Sequence, residues 1–176
     1  MARKPRKLTP RGKALRWMTR HRGLTEQPAG SNTDKRRDGI RRAQITCAAG
    51  GSWLVGKAWC GVWVYNALKA AGVKGLTSRL ASVLLIEQDA KHRRGPFRGW
   101  TMNPGHVLRG DLVILFGPGV HVELVREINM RHRYVVTDGG NTSAGVGGSQ
   151  SNGGGSFRRV RPFRDVYGFA LVDYPG

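Results

Sequence analysis

The sequence predicts an α+β domain, with helices first and an antiparallel sheet second. Three observations carry this. Apolar residues recur at helical spacing in the segment from Lys57 to Ala71 (KAWCGVWVYNALKAA), at positions 59, 62, 63, 67, 68 and 71. Beyond Gly110 the period changes, and 111–116 (DLVILF), 121–127 (HVELVRE) and 133–138 (RYVVTD) read as strands. The helical and the extended segments fall in separate halves of the chain, as in α+β proteins.

Taken in order, residues 1–22 carry nine Lys and Arg and no acid, nearly half of a formal net charge of +19. Pro5 and Pro10 interrupt the segment and large apolar side chains are few, so it cannot bury enough surface to order alone. It is expected as a basic, flexible tail ahead of a domain at 23–176. Such a tail suits a polyanion (nucleic acid, anionic lipid or wall teichoic acid) or serves as a solvated arm. The run Ala14 to Met18 is broken by Arg16, so no secretory signal is expected.

Residues 25–32 (TEQPAGSN) form a polar entry loop. Asn32 or Thr33 is placed to cap a helix over 34–47, which would carry a second basic cluster of Lys35, Arg36, Arg37, Arg41 and Arg42. Gly50 and Gly51 break that helix, and Gly72 ends the one over 57–71. A third helix is expected over 79–91, started by Thr77 or Ser78, with Leu80, Val83, Leu84 and Ala90 inward. Gly117-Pro118-Gly119 joins the first two strands as a tight turn. Residues 157–161 and 167–173 are further strand candidates, and the Gly/Ser/Asn-rich stretch 139–156 reads as a loop too polar for the core.

Composition narrows the function classes. With 39% hydrophobic residues the chain can build a core, and no run approaches the roughly 18 apolar residues of a membrane span. Two cysteines are not a disulfide scaffold. The histidines at 21, 92, 106, 121 and 132 form neither HxH nor HExxH, and no Cys/His group has zinc spacing, so no metal is expected.

Cys60 falls where the Trp59-to-Ala71 helix begins. A thiol there feels the positive end of the helix dipole, which favours the thiolate, and unpaired first-turn amides can stabilise an oxyanion. His121 opens a strand directly after the Gly-Pro-Gly turn. If helix and sheet pack in the usual way, Cys60 and His121 form a nucleophile–base pair. Asp138 and Asn141, near the end of the next strand, are the candidates to orient the imidazole. Glu123 alternates onto the same face as His121, where it can perturb the base or bind substrate. The alternative reading makes Cys60 a small buried hydrophobe and Cys47 a core thiol or its disulfide partner.

Five segments in order resemble the CHAP family of cysteine peptidases and amidases, related to the NlpC-type peptidoglycan hydrolases, and look most like lysins of phages and actinobacteria. They are Glu26-Gln27-Pro28-Ala29-Gly30-Ser31-Asn32, Ala58-Trp59-Cys60-Gly61-Val62-Trp63-Val64, Gly110-Asp111-Leu112-Val113, Gly119-Val120-His121-Val122 and Asp138-Gly139-Gly140-Asn141-Thr142-Ser143. The resemblance covers about residues 24–175. It implies a papain-like fold, a catalytic domain that cuts amide bonds in bacterial peptidoglycan without a cofactor, Cys60 as nucleophile and His121 as base. The family's third polar residue maps to Asp138 or Asn141, since this chain has Asp for Glu and one extra Gly. Glu26 and Asn32 match the N-terminal signature, as support for the cleft or as substrate contacts. Trp53, Trp59 and Trp100 are candidate stacking walls, while Trp63 is expected in the core. The substrate implies action at the cell wall by a monomeric phage lysin or virion-borne enzyme. The competing expectation is an inactive scaffold that binds polyanions.

Overall fold

The computed structural model describes residues 7–144, 148–149 and 152–176. Among these, four α-helices precede or flank six strands: α1 (Pro10–Arg20), α2 (Ile40–Cys47), α3 (Cys60–Ala70), α4 (Val83–Lys91), then β1 (Phe97–Thr101), β2 (Leu112–Leu115), β3 (His121–Asn129), β4 (Tyr134–Thr142), β5 (Gly155–Pro162) and β6 (Val166–Val172). The strands form one sheet in the order β1-β6-β2-β3-β4-β5, antiparallel at every pairing. The α+β class follows, and no helix is long and apolar enough to cross a membrane among the described residues.

Of the expected flexible tail, residues 1–6 lie outside the described residues, and residues 7–22 depart from the expectation. Thr9 caps α1 by accepting from the Gly12 amide, and Ala14, Leu15 and Met18 of that helix are buried. They join the main core with Val62, Trp63 and Leu68 of α3 and Leu112, Ile114, Val122 and Leu124 of the sheet. The segment lacks the apolar surface to order alone. It orders because positions 14, 15 and 18 make one apolar stripe that finds a partner.

The second helix starts later than expected. Asn32 and Thr33 do not cap it; it begins at Ile40, and the buried Asp34 carboxylate accepts from the Arg41 amide at 3.2 Å. A Cβ on Gly39 would sit 2.0 Å from that carboxylate, so glycine at 39 is what lets Asp34 reach back. Lys35, Arg36 and Arg37 therefore lie in the preceding loop, exposed, and only Arg41 and Arg42 ride on the helix. The third predicted helix divides into a 3₁₀ turn (Ser78–Ala81) and α4, because the Ser82 hydroxyl caps α4 at the Leu85 amide. Leu84 points outward, and Ile86 takes its place in the core.

Residues 139–142 are not loop. They complete β4 and are buried. Gly139 and Gly140 are small because both faces of the strand are crowded: a Cβ on Gly139 would meet Glu123 Cγ at 2.6 Å, and one on Gly140 would meet the rings of Trp59 at 2.4 Å and Trp63 at 2.6 Å. These glycines mark close approach rather than a flexible turn.

Candidate active site

Cys60 is the first residue of α3, with Trp59 as N-cap. Trp59 is fully buried, donates Nε1 to Glu26 Oε1 at 2.9 Å and packs edge-on against Trp63 at 5.0 Å. Glu26 is itself held by its amide, which donates to the Gly154 carbonyl. The Trp-Cys pair is thus fixed from the entry loop, and the fully buried Trp59 supports Cys60 and presents no exposed stacking wall. The segment Leu80–Ala81 runs against the first turn of α3, where a Cβ on Gly61 would come 2.2 Å from the Leu80 carbonyl.

His121 opens β3, paired with Leu115 across β2. Its Nε2 lies 3.1 Å from Glu123 Oε1. The other ring nitrogen, Nδ1, makes no hydrogen bond of normal geometry to the described residues, but the ring couples to the Cys60 sulfur both as a hydrogen-bonding partner and through charge. Burial pushes the Cys60 thiol up. His121 and the backbone amides of Val122 and Gly61 outweigh that, and the thiol ends below its ordinary value of 9.0. Burial pulls His121 down, yet Cys60 and Glu123 lift it from 6.5 to about 9. The opposed shifts favour a thiolate–imidazolium pair over the neutral pair. Cys47 differs in kind: it is a free, buried thiol that burial raises to about 12, with no bridge to Cys60.

Glu123 is fully buried, and charges around it hold it ionised. Burial alone would raise it; His121 and Arg161 bring it from 4.5 to about 2. Arg161 reaches across from β5 and donates Nε to Oε2 at 3.0 Å and Nη2 to Oε1, while the Thr137 hydroxyl donates to Oε2. Arg161 Nη2 also donates to Thr142 Oγ1 at 3.1 Å. A buried carboxylate paired on both sides and hydrogen-bonded at each oxygen meets the condition for stable burial of charge.

The structure brings Cys60, His121 and Glu123 together, and neither Asp138 nor Asn141 makes a hydrogen bond to the imidazole among the described residues. Asp138 pairs with Leu124, beyond His121 on β3, and its carboxylate takes Arg22, Arg126 and Arg158. Asn141 is buried in a left-handed conformation and closes the loop after β4, donating Nδ2 to Asn152 Oδ1 at 3.2 Å and accepting from the Gly153 amide. Asn32 accepts at its carbonyl from Gln44 Nε2, a loop-fastening role like that of Glu26. Trp63 lies in the core as expected, Trp53 is exposed, and Trp100 sits on β1 beside Tyr167 at 5.9 Å. Arg161 and Thr137 went unnoticed in the sequence. Their signal is indirect: a Glu inside the apolar run HVELV needs a cation, and the strand candidate 157–161 carries Arg161, while Thr137 lies in the candidate 133–138.

Comparison with protein-family models, with curated proteins and with solved structures gives no match.

Proposed function

We propose that this chain is a cysteine-dependent peptidoglycan hydrolase, an amidase or endopeptidase acting at the bacterial cell wall on a papain-like scaffold. The single observation that carries the reading is the charged chain Cys60–His121–Glu123–Arg161, built from α3, β3 and β5. Cys60 attacks the carbonyl of a stem or cross-bridge amide. The first-turn amide of Gly61 lies beside the sulfur, where an oxyanion would develop. His121 protonates the leaving amine through Nδ1, a thioester forms, and water activated by the same nitrogen releases it. Glu123 fixes the ring by holding Nε2, the role assigned from sequence to Asp138 or Asn141. The resemblance of the five segments supplies the substrate class, and with it a phage lysin or virion-borne setting.

Purified protein added to bacterial walls should clear turbidity, and Cys60→Ala should not. Mass spectrometry of the released muropeptides names the bond from its new termini. Clearing by Cys60→Ala at the parental rate would end this reading.

A second reading draws on burial. Cys60 is 4% exposed and His121 0%, which suits an inactive scaffold that binds polyanions through its basic surface. The two part on alkylation: an active thiol is blocked by iodoacetamide with loss of turnover, and a scaffold keeps its salt-dependent binding.

A further inference from the structure

α1 carries Arg11, Lys13, Arg16 and Arg20 and no acid. Its two sides form grooves that meet at Lys7, Leu8 and Arg16. One, of about 620 Å³, is lined by the cations Lys7, Arg11, Arg16, Arg109 and Arg126. The other, of about 430 Å³, is lined by Lys7, Lys13, Arg16 and Arg20. Among the described residues no carboxylate lines either groove. We propose that these grooves form one track for the phosphodiester backbone of an anionic cell-wall polymer. The polymer's identity rests on the wall-hydrolase reading; the track itself does not.

The charge layout argues for a ligand. Two of the groove cations are paired, Arg11 with Asp111 (which also holds Arg98) and Arg126 with Asp138 (which also holds Arg22 and Arg158), and away from the grooves Asp89 holds Arg79. Along the track, Lys7, Lys13, Arg16, Arg20 and Arg109 have no carboxylate partner among the described residues. Lys13 and Arg16 are three apart and Arg16 and Arg20 four apart, so like charges face each other on the helix surface. Cations in the first turn also oppose the helix dipole. α1 is therefore less stable alone than an acid-bearing helix would be, and a bound row of phosphates would relieve all of these conflicts.

Base stacking is not provided for. Trp17, the aromatic residue of the second groove, is stacked on His21 at 4.1 Å and packed edge-on against Trp63 at 4.8 Å. Single-stranded nucleic acid binders present free rings to successive bases. A backbone of phosphates without bases suits the track better.

The test uses the full chain carrying Cys60→Ala, so that walls stay intact, and measures cosedimentation with walls before and after chemical removal of their phosphodiester polymers. Binding should fall steeply with salt and drop at least about tenfold on stripped walls. The triple variant Lys13→Glu, Arg16→Glu, Arg20→Glu should bind intact walls about tenfold or more weakly, with the salt slope reduced by about one per cation. The neutral triple variant with Gln at the same positions should fall between, and thermal melts of both should match the parent. Undiminished binding to stripped walls, parental binding by both triple variants, or tighter binding of duplex DNA at equal phosphate would each overturn the proposal. Turnover of stripped walls by the unmodified chain reports on the hydrolase reading separately, since it needs Cys60 and not the track.

Discussion

Nε2 of His121 and Oε1 of Glu123 stand 3.1 Å apart, two residues along one strand, and both side chains are fully buried. The imidazole is therefore oriented from within its own strand, and in the proposed mechanism Nδ1 serves the sulfur. Glu123→Gln should lower the rate of wall clearing by roughly 10²- to 10⁴-fold, as expected for loss of an orienting carboxylate. Asp138→Asn should keep the rate within about threefold while costing about 1–3 kcal/mol of stability, because its three arginines lose their shared partner. Initial clearing rates and urea unfolding of the two variants separate the roles.

The two thiols should differ sharply toward iodoacetamide. At neutral pH the native protein should alkylate at Cys60 and spare Cys47, which burial raises to about 12. His121→Ala should slow the labelling of Cys60 by at least about tenfold, since its largest thiolate-stabilising partner is gone. Peptide mapping by mass spectrometry reads both sites in one experiment. Equal labelling of Cys47 and Cys60 would contradict the charged pair.

Stability should depend on pH mainly from the acid side. Glu123, lowered from 4.5 to about 2, contributes stability that is present above 4.5 and is lost as pH falls toward 2. His121, raised from 6.5 to about 9, contributes stability that is full below 6.5 and is lost as pH rises to 9. Cys60, lowered from 9.0, contributes stability that grows as pH rises toward 9.0, so it opposes the loss from His121 and the alkaline side is shallow. Urea midpoints against pH should show this asymmetry, and Glu123→Gln should flatten the acid limb. Activity should instead fall above about pH 9, where His121 loses the proton it must deliver.

Gly140→Ala should destabilise the fold by about 1–3 kcal/mol, because its methyl would overlap the Trp59 and Trp63 rings. Wall clearing should decline with it, since Trp59 adjoins the nucleophile. A thermal melt with a clearing assay below the melting temperature checks both.

Leu15→Ala on α1 should cost about 2–5 kcal/mol, the usual effect of truncating a fully buried leucine. A flexible tail would show no change. Chemical denaturation decides the matter.

Periodicity made most of the fold legible. Cys60 at a helix start, the Gly72 stop and five of the six strands can be read from spacing, as can the placement of His121 at a strand end. What spacing could not show was burial against distant partners. α1 looked too charged to order because its stripe of Ala14, Leu15 and Met18 is short, and its worth depends on α3 and the sheet. β1 is a five-residue edge strand with Arg98 and Gly99 in it, and lacks an apolar run. Residues 139–141 read as loop because glycine is ambiguous in sequence: the same residue serves left-handed turns and crowded strands. Glu123 was recognised as facing with His121, but its role depended on Arg161, and nothing local to HVELV reveals a cation contributed by another strand.

Arg161 lies in the penultimate strand, far downstream of the helix that bears the sulfur. During synthesis β5 must therefore have left the ribosome before the guanidinium can clamp Glu123. Chains cut short upstream of β5 would bury the Glu123 carboxylate without its cation. The pairing of the carboxylate beside the imidazole is thus a property of the completed sheet and not of the segment that bears it.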